Sequence, residues 1–230
     1  YFCAGSEPCV VALHGLTVGL TICEDIWHAE PVAGAKAAGA DILININASP
    51  FHRGKQSERL SRVGACARTH QLVFDGGSFA VDKQGELCIS AATFTEAFPM
   101  VVVDPTADSL LDKGDLIPAR EELESVWQAL VLGMRDYVNK NGFPGVVLGL
   151  SGGIDSAVTL AVAVDALGPE RVEAVMMPFR YTASMSVEDA EAEAAALAVR
   201  FSNISIEPLY EGFMAALSGE FSGLPANITE

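Results

Sequence analysis

The feature that most constrains the fold is a pair of adjacent glycines where an apolar segment meets a helix-like one. The stretch LSGGIDS occupies residues 150–156, between the apolar run GVVLG and the alanine- and valine-rich AVTLAVAVDAL. This order predicts a strand at 145–150, a tight turn, and a helix at 157–167. The pattern downstream predicts a strand at 172–176, a helix at 187–201 and a strand at 203–207. A β-α-β-α-β order is typical of a doubly wound parallel sheet in an α/β protein.

The first half of the chain also alternates strands with helical segments. Residues 10–22 predict two short strands around a His-Gly turn, residues 31–39 an alanine-rich helix, and residues 41–47 a buried strand. Further predicted elements are a helix at 54–70, strands at 72–82, 86–90 and 100–104, and a helix that ends at Asn141-Gly142. A polar stretch with Pro105 and Pro118 follows the last of these strands. We therefore expect two domains, residues 1–104 and 125–230, joined by a linker at 105–124.

The charge and the cysteine pattern limit the partners and the compartment. The net charge of −16 argues against general affinity for nucleic acid, which requires a basic surface, so any phosphate must be bound locally. The 5 cysteines form no C-x-x-C pair and no Cys/His ligand spacing, which argues against a disulfide scaffold or a zinc site and favours a reducing, cytoplasmic compartment. We expect no membrane span and no signal peptide, because long apolar runs and a basic leading segment are both missing.

The glycine turn has the composition of a phosphate-binding loop. Gly152 and Gly153 allow the backbone to approach a ligand closely, and Ser151 and Ser156 add hydroxyl donors at the start of a helix. Asp155 would repel a phosphate unless a divalent cation lay between them, so the turn predicts bound Mg²⁺. The spacing matches neither a Walker loop nor a G-x-G-x-x-G dinucleotide fingerprint. A plain strand-to-helix turn with Ser and Asp as helix caps is the alternative.

The motif S-G-G-x-D-S after a hydrophobic strand resembles the pyrophosphate loop of the ATP pyrophosphatase family, whose members cut ATP between the α and β phosphates. The segment VMMPFRYTASMSVEDA at 175–190 resembles the M-P-x-R-Y-T-S-x-x-S-x-x-D-A run of NAD synthetases, with Ala183 in place of the usual serine. The resemblance implies that Met177 and Arg180 border the nucleotide and that Asp155 binds Mg²⁺; a surface ion pair is the alternative for Arg180. It also implies that one continuous loop holds the ATP phosphates: Gly149, Leu150, Ser151, Gly152, Gly153, Ile154, Asp155 and Ser156.

A second turn of interest lies in VGLTICEDIW, where Cys23 ends an apolar strand. A lone cysteine is most often a small buried hydrophobe. The turn nevertheless resembles the nucleophile turn of the nitrilase (carbon–nitrogen hydrolase) superfamily, in the form fused to glutamine-dependent NAD synthetases. The stretches NASPFHRGKQSER at 47–59 and FDGGSFAVD at 74–82 fit the same subfamily. The resemblance implies Cys23 as the nucleophile, Ser49 and Lys55 as glutamine contacts, and an incomplete nitrilase-like α-β-β-α sandwich; a surface charge is the alternative for Lys55.

Together, the two motif sets imply the chemistry of glutamine-dependent NAD synthetases. In that chemistry the cysteine releases ammonia from glutamine through a thioester. The other half adenylates the carboxylate of nicotinic acid adenine dinucleotide (deamido-NAD) with MgATP, and ammonia then displaces AMP to give NAD⁺. The implied ligands are glutamine, ATP with Mg²⁺, and deamido-NAD, without a permanently bound cofactor. A homo-oligomer is the implied assembly, and neither nucleic acid nor a membrane is an expected partner.

Three departures from the family pattern favour a longer parent protein. The glutamate and lysine that complete a nitrilase-type site come before the cysteine in the family and cannot be assigned here. The family strand that precedes FDGGS is missing, and the region that completes the deamido-NAD site would follow Glu230. The alternatives are a catalytically incomplete nucleotide-binding or assembly module, another amidotransferase with an ATP pyrophosphatase domain, and a stand-alone amidase. The cysteine turn argues against the second, and the glycine turn argues against the third.

Overall fold

The computed structural model describes residues 5–48, 50–51, 53, 73–82, 85–107, 110–220 and 222. The chain divides into two compact units, residues 1–133 and 134–230, and this division falls inside one long helix. Each unit contains a β-sheet with helices packed on it, so the predicted α/β class is confirmed.

The first unit contains a three-stranded sheet that leads into the cysteine turn. Strands β1 (Cys9–Leu13) and β2 (Leu16–Ile22) form an antiparallel hairpin, whose turn residues His14 and Gly15 both have positive φ. Helix α1 (Ala29–Ala37) then returns the chain, so that β3 (Ile42–Ile46) pairs with β2 in parallel. The predicted hairpin and the helix after it are confirmed.

Helix α1 packs directly on β2 because the strand has a glycine at the point of contact. A β-carbon built on Gly19 would lie 3.1 Å from that of Ala35 and 3.2 Å from that of Ala40. Val18 and Thr21 of β2 and Ala35 of α1 are all buried. This close packing fixes the position of the turn that follows β2.

A two-stranded antiparallel ribbon, β4 (Phe79–Val81) with β5 (Leu87–Ser90), lies further along the first unit. The carboxylate of Asp82 accepts the backbone N–H of Glu86 at 2.9 Å, which holds the two strands together at their turn. Cys88 and Ile89 on β5 are buried. The predicted strands at 72–82 and 86–90 are therefore present in shortened form.

Two strand predictions in the first unit need correction. Residues 41–47 do form a strand, but it is not buried, since Ile44 is 47% and Ile46 63% exposed. Strand β3 is the last strand of the described sheet, and only β2 pairs with it there. The predicted strand at 100–104 is wrong, because among the described residues this segment forms only an isolated bridge between Val103 and Leu111.

Helix α2 (Glu122–Lys140) ends at the predicted Asn141-Gly142 signal. Gly142 has φ +70°, and the N–H of Phe143 donates to the carbonyl of Val138 at 3.0 Å. These contacts close the last turn of the helix in the way that a glycine after a helix allows. Within the described ranges, no helix combines the length and apolar character needed to cross a membrane.

The second unit contains a parallel sheet of strands β6 (Val146–Gly149), β7 (Val172–Met176) and β8 (Arg200–Asn203), in that order. Helix α3 (Ile154–Leu167) connects β6 to β7, and helix α4 (Ser184–Ala196) connects β7 to β8. Leu160, Ala174 and Ala190 are completely buried where these layers meet. The predicted β-α-β-α-β order is confirmed. Because the strands are parallel, it places the carboxyl ends of all three at one edge of the sheet.

The end of the second unit differs from the sequence prediction. Helix α4 ends at Ala196 rather than at residue 201, and β8 begins at Arg200 rather than at residue 203. Ala198 has φ +55°, a left-handed conformation that glycine normally supplies, so the sequence carries no stop signal there. A further helix, α5 (Glu207–Leu217), begins where the strand was expected to end, with Pro208 in its first turn.

Candidate functional site

The glycine turn links β6 to α3 at the carboxyl edge of the parallel sheet. The N–H of Leu150 donates to the carbonyl of Val175 at 2.9 Å, and the Leu150 side chain is only 1% exposed. Leu150 therefore anchors the start of the loop, and since its N–H is already donated it can offer a ligand only its backbone carbonyl. Ile154, the first residue of α3, is by contrast 75% exposed.

Gly152 lies against the start of helix α4. Its φ is +74°, and a β-carbon built on it would lie 2.7 Å from the α-carbon of Ser186 and closer still to the Ser186 carbonyl oxygen. Both the backbone conformation and the contact therefore require glycine. The contact joins the predicted ATP loop to the segment at 175–190, so the two motifs of the second unit meet in space.

The two loop serines, Ser151 and Ser156, stabilise the turn through hydrogen bonds within it. The hydroxyl of Ser156 donates to the carbonyl of Gly153 at 2.9 Å and accepts the N–H of Ser151 at 3.2 Å. The two hydroxyl oxygens lie 3.0 Å apart; since the Ser156 proton is already used, Ser151 is the donor between them. The Ser151 oxygen also accepts the N–H of Gly153 at 3.3 Å. Hydroxyl oxygens thus occupy backbone donors that a phosphate oxygen would accept from.

A cavity of about 480 Å³ opens at this edge of the sheet, a size typical of small-molecule sites. Its lining comes from the glycine loop, from β7 and from the loop that follows β7: Gly149, Leu150, Ser151, Val175, Met176, Met177, Tyr181, Thr182, Ala183 and Ser186. Four of the predicted ATP contacts, Gly149, Leu150, Ser151 and Met177, therefore share one cavity. The predicted contacts at 152–156 and Arg180 do not line it. Tyr181, Thr182 and Ser186 were not among the predicted contacts, although all three belong to the motif at 175–190.

Asp155 is exposed in the first turn of α3, and its carboxylate has no hydrogen-bond or ion-pair partner among the described residues. Among all the residues that the structure describes, no group of three or more His, Cys, Asp and Glu side chains could hold a metal ion. Magnesium in nucleotide sites is usually held by one or two carboxylates together with the substrate phosphates. An exposed carboxylate such as that of Asp155 is compatible with an Mg²⁺ ion that arrives with a nucleotide.

Arg180 lies in the loop after β7 but is engaged away from the cavity. Its guanidinium pairs with the carboxylate of Glu207 and lies 3.6 Å from that of Glu211. Both acidic residues belong to helix α5, which the sequence analysis did not predict. The ion pair that was the alternative reading of Arg180 is thus present.

Cys23 lies at the carboxyl end of β2, as the first residue of a short 3-10 helix, Cys23–Trp27. Its φ is +46°, a conformation uncommon for residues other than glycine. The carboxylate of Asp25 accepts the N–H of Ile22 at 2.8 Å and so stabilises the turn. The cysteine is half-buried rather than enclosed in the core. A partly accessible thiol on a strained turn is the arrangement expected of a reactive side chain rather than of a small core residue.

Two asparagines at the neighbouring strand contact the cysteine turn. The side-chain amide of Asn45 on β3 donates to the carbonyl of Cys23 at 3.4 Å and to the hydroxyl of Thr21 at 3.0 Å. The thiol of Cys23 donates to the side-chain oxygen of Asn47 at 3.6 Å. Neither asparagine was predicted as a contact of the turn, although polar residues at alternate positions of the apolar run ILININ were a signal. The predicted glutamine contacts Ser49 and Lys55 lie outside the described residues.

Comparisons with known proteins found similar sequences for both halves of the chain. Residues 126–227 match the family model described as NAD synthase. The glutamine-dependent NAD(+) synthetase of Xanthomonas campestris pv. campestris (strain 8004) is 41% identical over 246 residues, which cover 97% of this chain and 43% of that protein. The chain thus spans less than half the length of the curated relatives it matches.

Solved structures of similar proteins carry the same enzyme name as the curated relatives. The glutamine-dependent NAD+ synthetase from Acinetobacter baumannii, in complex with adenosine diphosphate, matches with a TM-score of 0.90 and 38% identity over 99% of this chain and 46% of that chain. A glutamine-dependent NAD(+) synthetase from Cytophaga hutchinsonii matches with a TM-score of 0.69 at 19% identity, over 93% of this chain and 43% of that chain, which supports the fold alone.

Proposed function

Because the chain belongs to the glutamine-dependent NAD(+) synthetase family, we propose that it carries parts of two active sites of one enzyme. One site releases ammonia from glutamine at Cys23. The other uses ATP to activate the carboxylate of deamido-NAD, which the ammonia converts to the amide of NAD⁺.

One observation carries the proposal for the second site. The glycine loop and the motif at 175–190 meet at Gly152 and Ser186, and the cavity beside them lies where parallel sheets bind ligands. A strand-to-helix turn that was only capped by Ser and Asp would need neither the cavity nor an exposed, unpaired Asp155. The adenosine diphosphate bound to the A. baumannii relative supports a nucleotide as the occupant.

At the cysteine turn, the thiol sulfur of Cys23 attacks the side-chain amide carbon of glutamine. The carbon–nitrogen bond breaks, the nitrogen takes up a proton and leaves as ammonia, and water later hydrolyses the thioester to glutamate and free thiol. Asn45 contributes by holding the carbonyl of Cys23, which fixes the strained turn. Ser49 and Lys55 remain proposed contacts for the glutamine substrate.

At the glycine loop, the deamido-NAD carboxylate attacks the α-phosphorus of ATP, and pyrophosphate leaves. Ammonia then attacks the adenylated carboxyl carbon, AMP leaves, and the amide of NAD⁺ remains. Backbone N–H groups of the loop at 149–156 hold the phosphates, whose oxygens replace the serine hydroxyls as acceptors of the N–H groups of Ser151 and Gly153; Met177 lies beside the nucleotide. The carboxylate of Asp155 would hold an Mg²⁺ ion that arrives with the nucleotide, and such an ion would supply positive charge next to the phosphates.

The test is to assay the natural full-length protein for NAD⁺ formation from deamido-NAD and MgATP, with either glutamine or ammonium as the nitrogen source. We expect NAD⁺, AMP and pyrophosphate in equal amounts from both nitrogen sources, and glutamate only with glutamine. ATP binding without AMP release would favour the alternative of a catalytically incomplete nucleotide-binding or assembly module. The domain limits 1–104 and 125–230, the homo-oligomer and the cytoplasmic location stay predictions.

A further inference from the structure

The loop that forms one wall of the cavity is tied to helix α5 through the carboxylate of Glu207. One carboxylate oxygen accepts the backbone N–H of Arg180 at 3.1 Å. The other oxygen pairs with the guanidinium of the same arginine. A single carboxylate thus holds both the main chain and the side chain of one loop residue, and we call Arg180 and Glu207 the clasp.

One aromatic ring of the loop and one of helix α5 contact the arginine of the clasp. The guanidinium carbon lies 5.3 Å from the ring centroid of Phe179 and 5.5 Å from that of Tyr210. These two rings meet edge to face with their centroids 4.9 Å apart. The N–H of Ile206 also donates to the carbonyl of Pro178 at 3.1 Å. Three consecutive loop residues, 178–180, are therefore held against the start of α5.

The residues on either side of the clasped ones line the cavity. Met177 precedes them, and Tyr181, Thr182 and Ala183 follow them. The N–H of Phe179 donates to the hydroxyl of Thr182 at 2.9 Å, and the N–H of Thr182 donates back to the carbonyl of Phe179 at 2.8 Å. A shift of the clasped residues would thus be transmitted directly to the cavity wall.

The clasp restricts the position of the loop more than it stabilises the folded protein. The side chains of Arg180 and Glu207 are 44% and 26% exposed, and ion pairs that solvent reaches contribute little to the free energy of unfolding. A carboxylate that accepts two hydrogen bonds from one residue does restrict where that residue can lie.

We propose that Glu207 is a positioning residue for the nucleotide site, acting through Arg180 to hold the loop at 177–183 in the conformation that forms the cavity wall. Arg180 then serves as the loop's tether rather than as a cation for the phosphates. The proposal rests on the proposed function, because it takes ATP as the ligand of the cavity.

The experiment compares Glu207→Gln with Glu211→Gln in the full-length protein. Glu211 lies one turn further along α5 and carries the same charge, but it contacts only the guanidinium, at 3.6 Å, so it is a matched control. For Glu207→Gln we expect KM for ATP to rise roughly tenfold while kcat and Tm stay within about twofold and about 2 °C of wild type. Glu211→Gln should leave KM for ATP within about twofold. Arg180→Gln should give the rise seen for Glu207→Gln, and the double variant should add nothing further.

Several outcomes would overturn the proposal. An unchanged KM for ATP in Glu207→Gln would show that the clasp does not shape the site, and equal effects of both glutamate variants would show that only charge matters. A joint fall of kcat and Tm would indicate a merely structural role. If wild type makes no NAD⁺, the proposed function fails. The role of the clasp is then tested separately by measuring the Kd for ADP in wild type and in Glu207→Gln by calorimetry. An equal Kd in wild type and Glu207→Gln, or no ADP binding at all, would then overturn it.

Discussion

Gly152 and Gly142 share nearly the same backbone conformation but have different surroundings. Their φ values are +74° and +70°, yet Gly142 has no atom within 4 Å of an added β-carbon, whereas Gly152 faces the backbone of Ser186. Gly142→Ala should therefore cost only the left-handed backbone strain, about 1 kcal/mol of unfolding free energy. Gly152→Ala adds a clash with backbone that cannot rotate away, so we expect a loss of more than about 3 kcal/mol.

Urea unfolding of both variants measures this difference, and KM for ATP measures its consequence at the site. We expect a higher KM for ATP in Gly152→Ala and an unchanged value in Gly142→Ala. Equal losses of stability in the two variants would mean that the contact between Gly152 and Ser186 is not part of the folded protein.

Asn45 offers a second test at the residue scale, because its amide is the group that joins β3 to the backbone of the cysteine turn. Asn45→Ala removes both donated hydrogen bonds and leaves the strained φ of Cys23 unsupported. A nucleophile displaced by a fraction of an ångström loses much of its rate, so we expect glutamine-driven NAD⁺ formation to fall by at least about tenfold. Ammonium-driven formation in the same sample is the control and should not change. Equal losses with both nitrogen sources would reassign Asn45 to general stability.

At the scale of the element, helix α4 carries a titratable group that folding perturbs. Burial raises the pKa of Glu193 above its ordinary value of 4.5. The folded state therefore favours the neutral carboxyl; the stability that this preference gives is complete below the unfolded pKa and is lost as pH rises through the folded pKa. Near neutral pH the ionised Glu193 destabilises the helix.

Glu193→Gln keeps the shape and removes the charge, so it should raise Tm by about 1 °C at about pH 7 and by nothing at about pH 4. Melting curves at the two pH values measure this effect. Glu191→Gln, an exposed position on the same helix, is the matched control and should be neutral at both. A gain for Glu193→Gln that is the same at both pH values would rule out titration as its cause.

Elements with strong local signals were predictable, and those set by tertiary contacts were not. Strand β7 has the predicted limits, 172–176, because the polar pair Glu170-Arg171 precedes the stretch VEAVM and Pro178 follows it closely. The end of α4 was misplaced because an alanine, Ala198, takes the conformation that glycine usually marks. Residues 100–104 have strand composition, but they form no ladder with another described strand.

The same distinction applies to the site. The glycine loop could be predicted because its hydroxyls, glycines and carboxylate are contiguous, and the hydrogen bonds of its two serine hydroxyls span at most five residues. The contact of Asn45 with the cysteine turn depends on the parallel register of β2 and β3, which places Thr21 opposite Asn45. The pairing of Arg180 with Glu207 spans 27 residues and a helix that the sequence did not predict.

At the scale of the whole molecule, the two candidate sites lie in different units. Cys23 belongs to residues 1–133 and Asp155 to residues 134–230, and each turn is built from hydrogen bonds within its own unit. A substitution in one turn should therefore leave the other turn folded. The proposed chemistry adds a second expectation, because free ammonium can replace the product of the first site but nothing replaces the adenylation at the second.

The two substitutions Cys23→Ser and Asp155→Asn should consequently give opposite patterns in the full-length protein. Cys23→Ser loses the proposed thiol nucleophile, so glutamine-driven NAD⁺ formation should fall by more than about 10³-fold while ammonium-driven formation stays near wild type. Asp155→Asn loses the proposed carboxylate ligand of Mg²⁺, so NAD⁺ formation should fall by at least about 10²-fold with either nitrogen source. Glutamate release from glutamine should persist in Asp155→Asn and be absent in Cys23→Ser. Loss of both activities in both variants would mean that the two turns form one interdependent site rather than two.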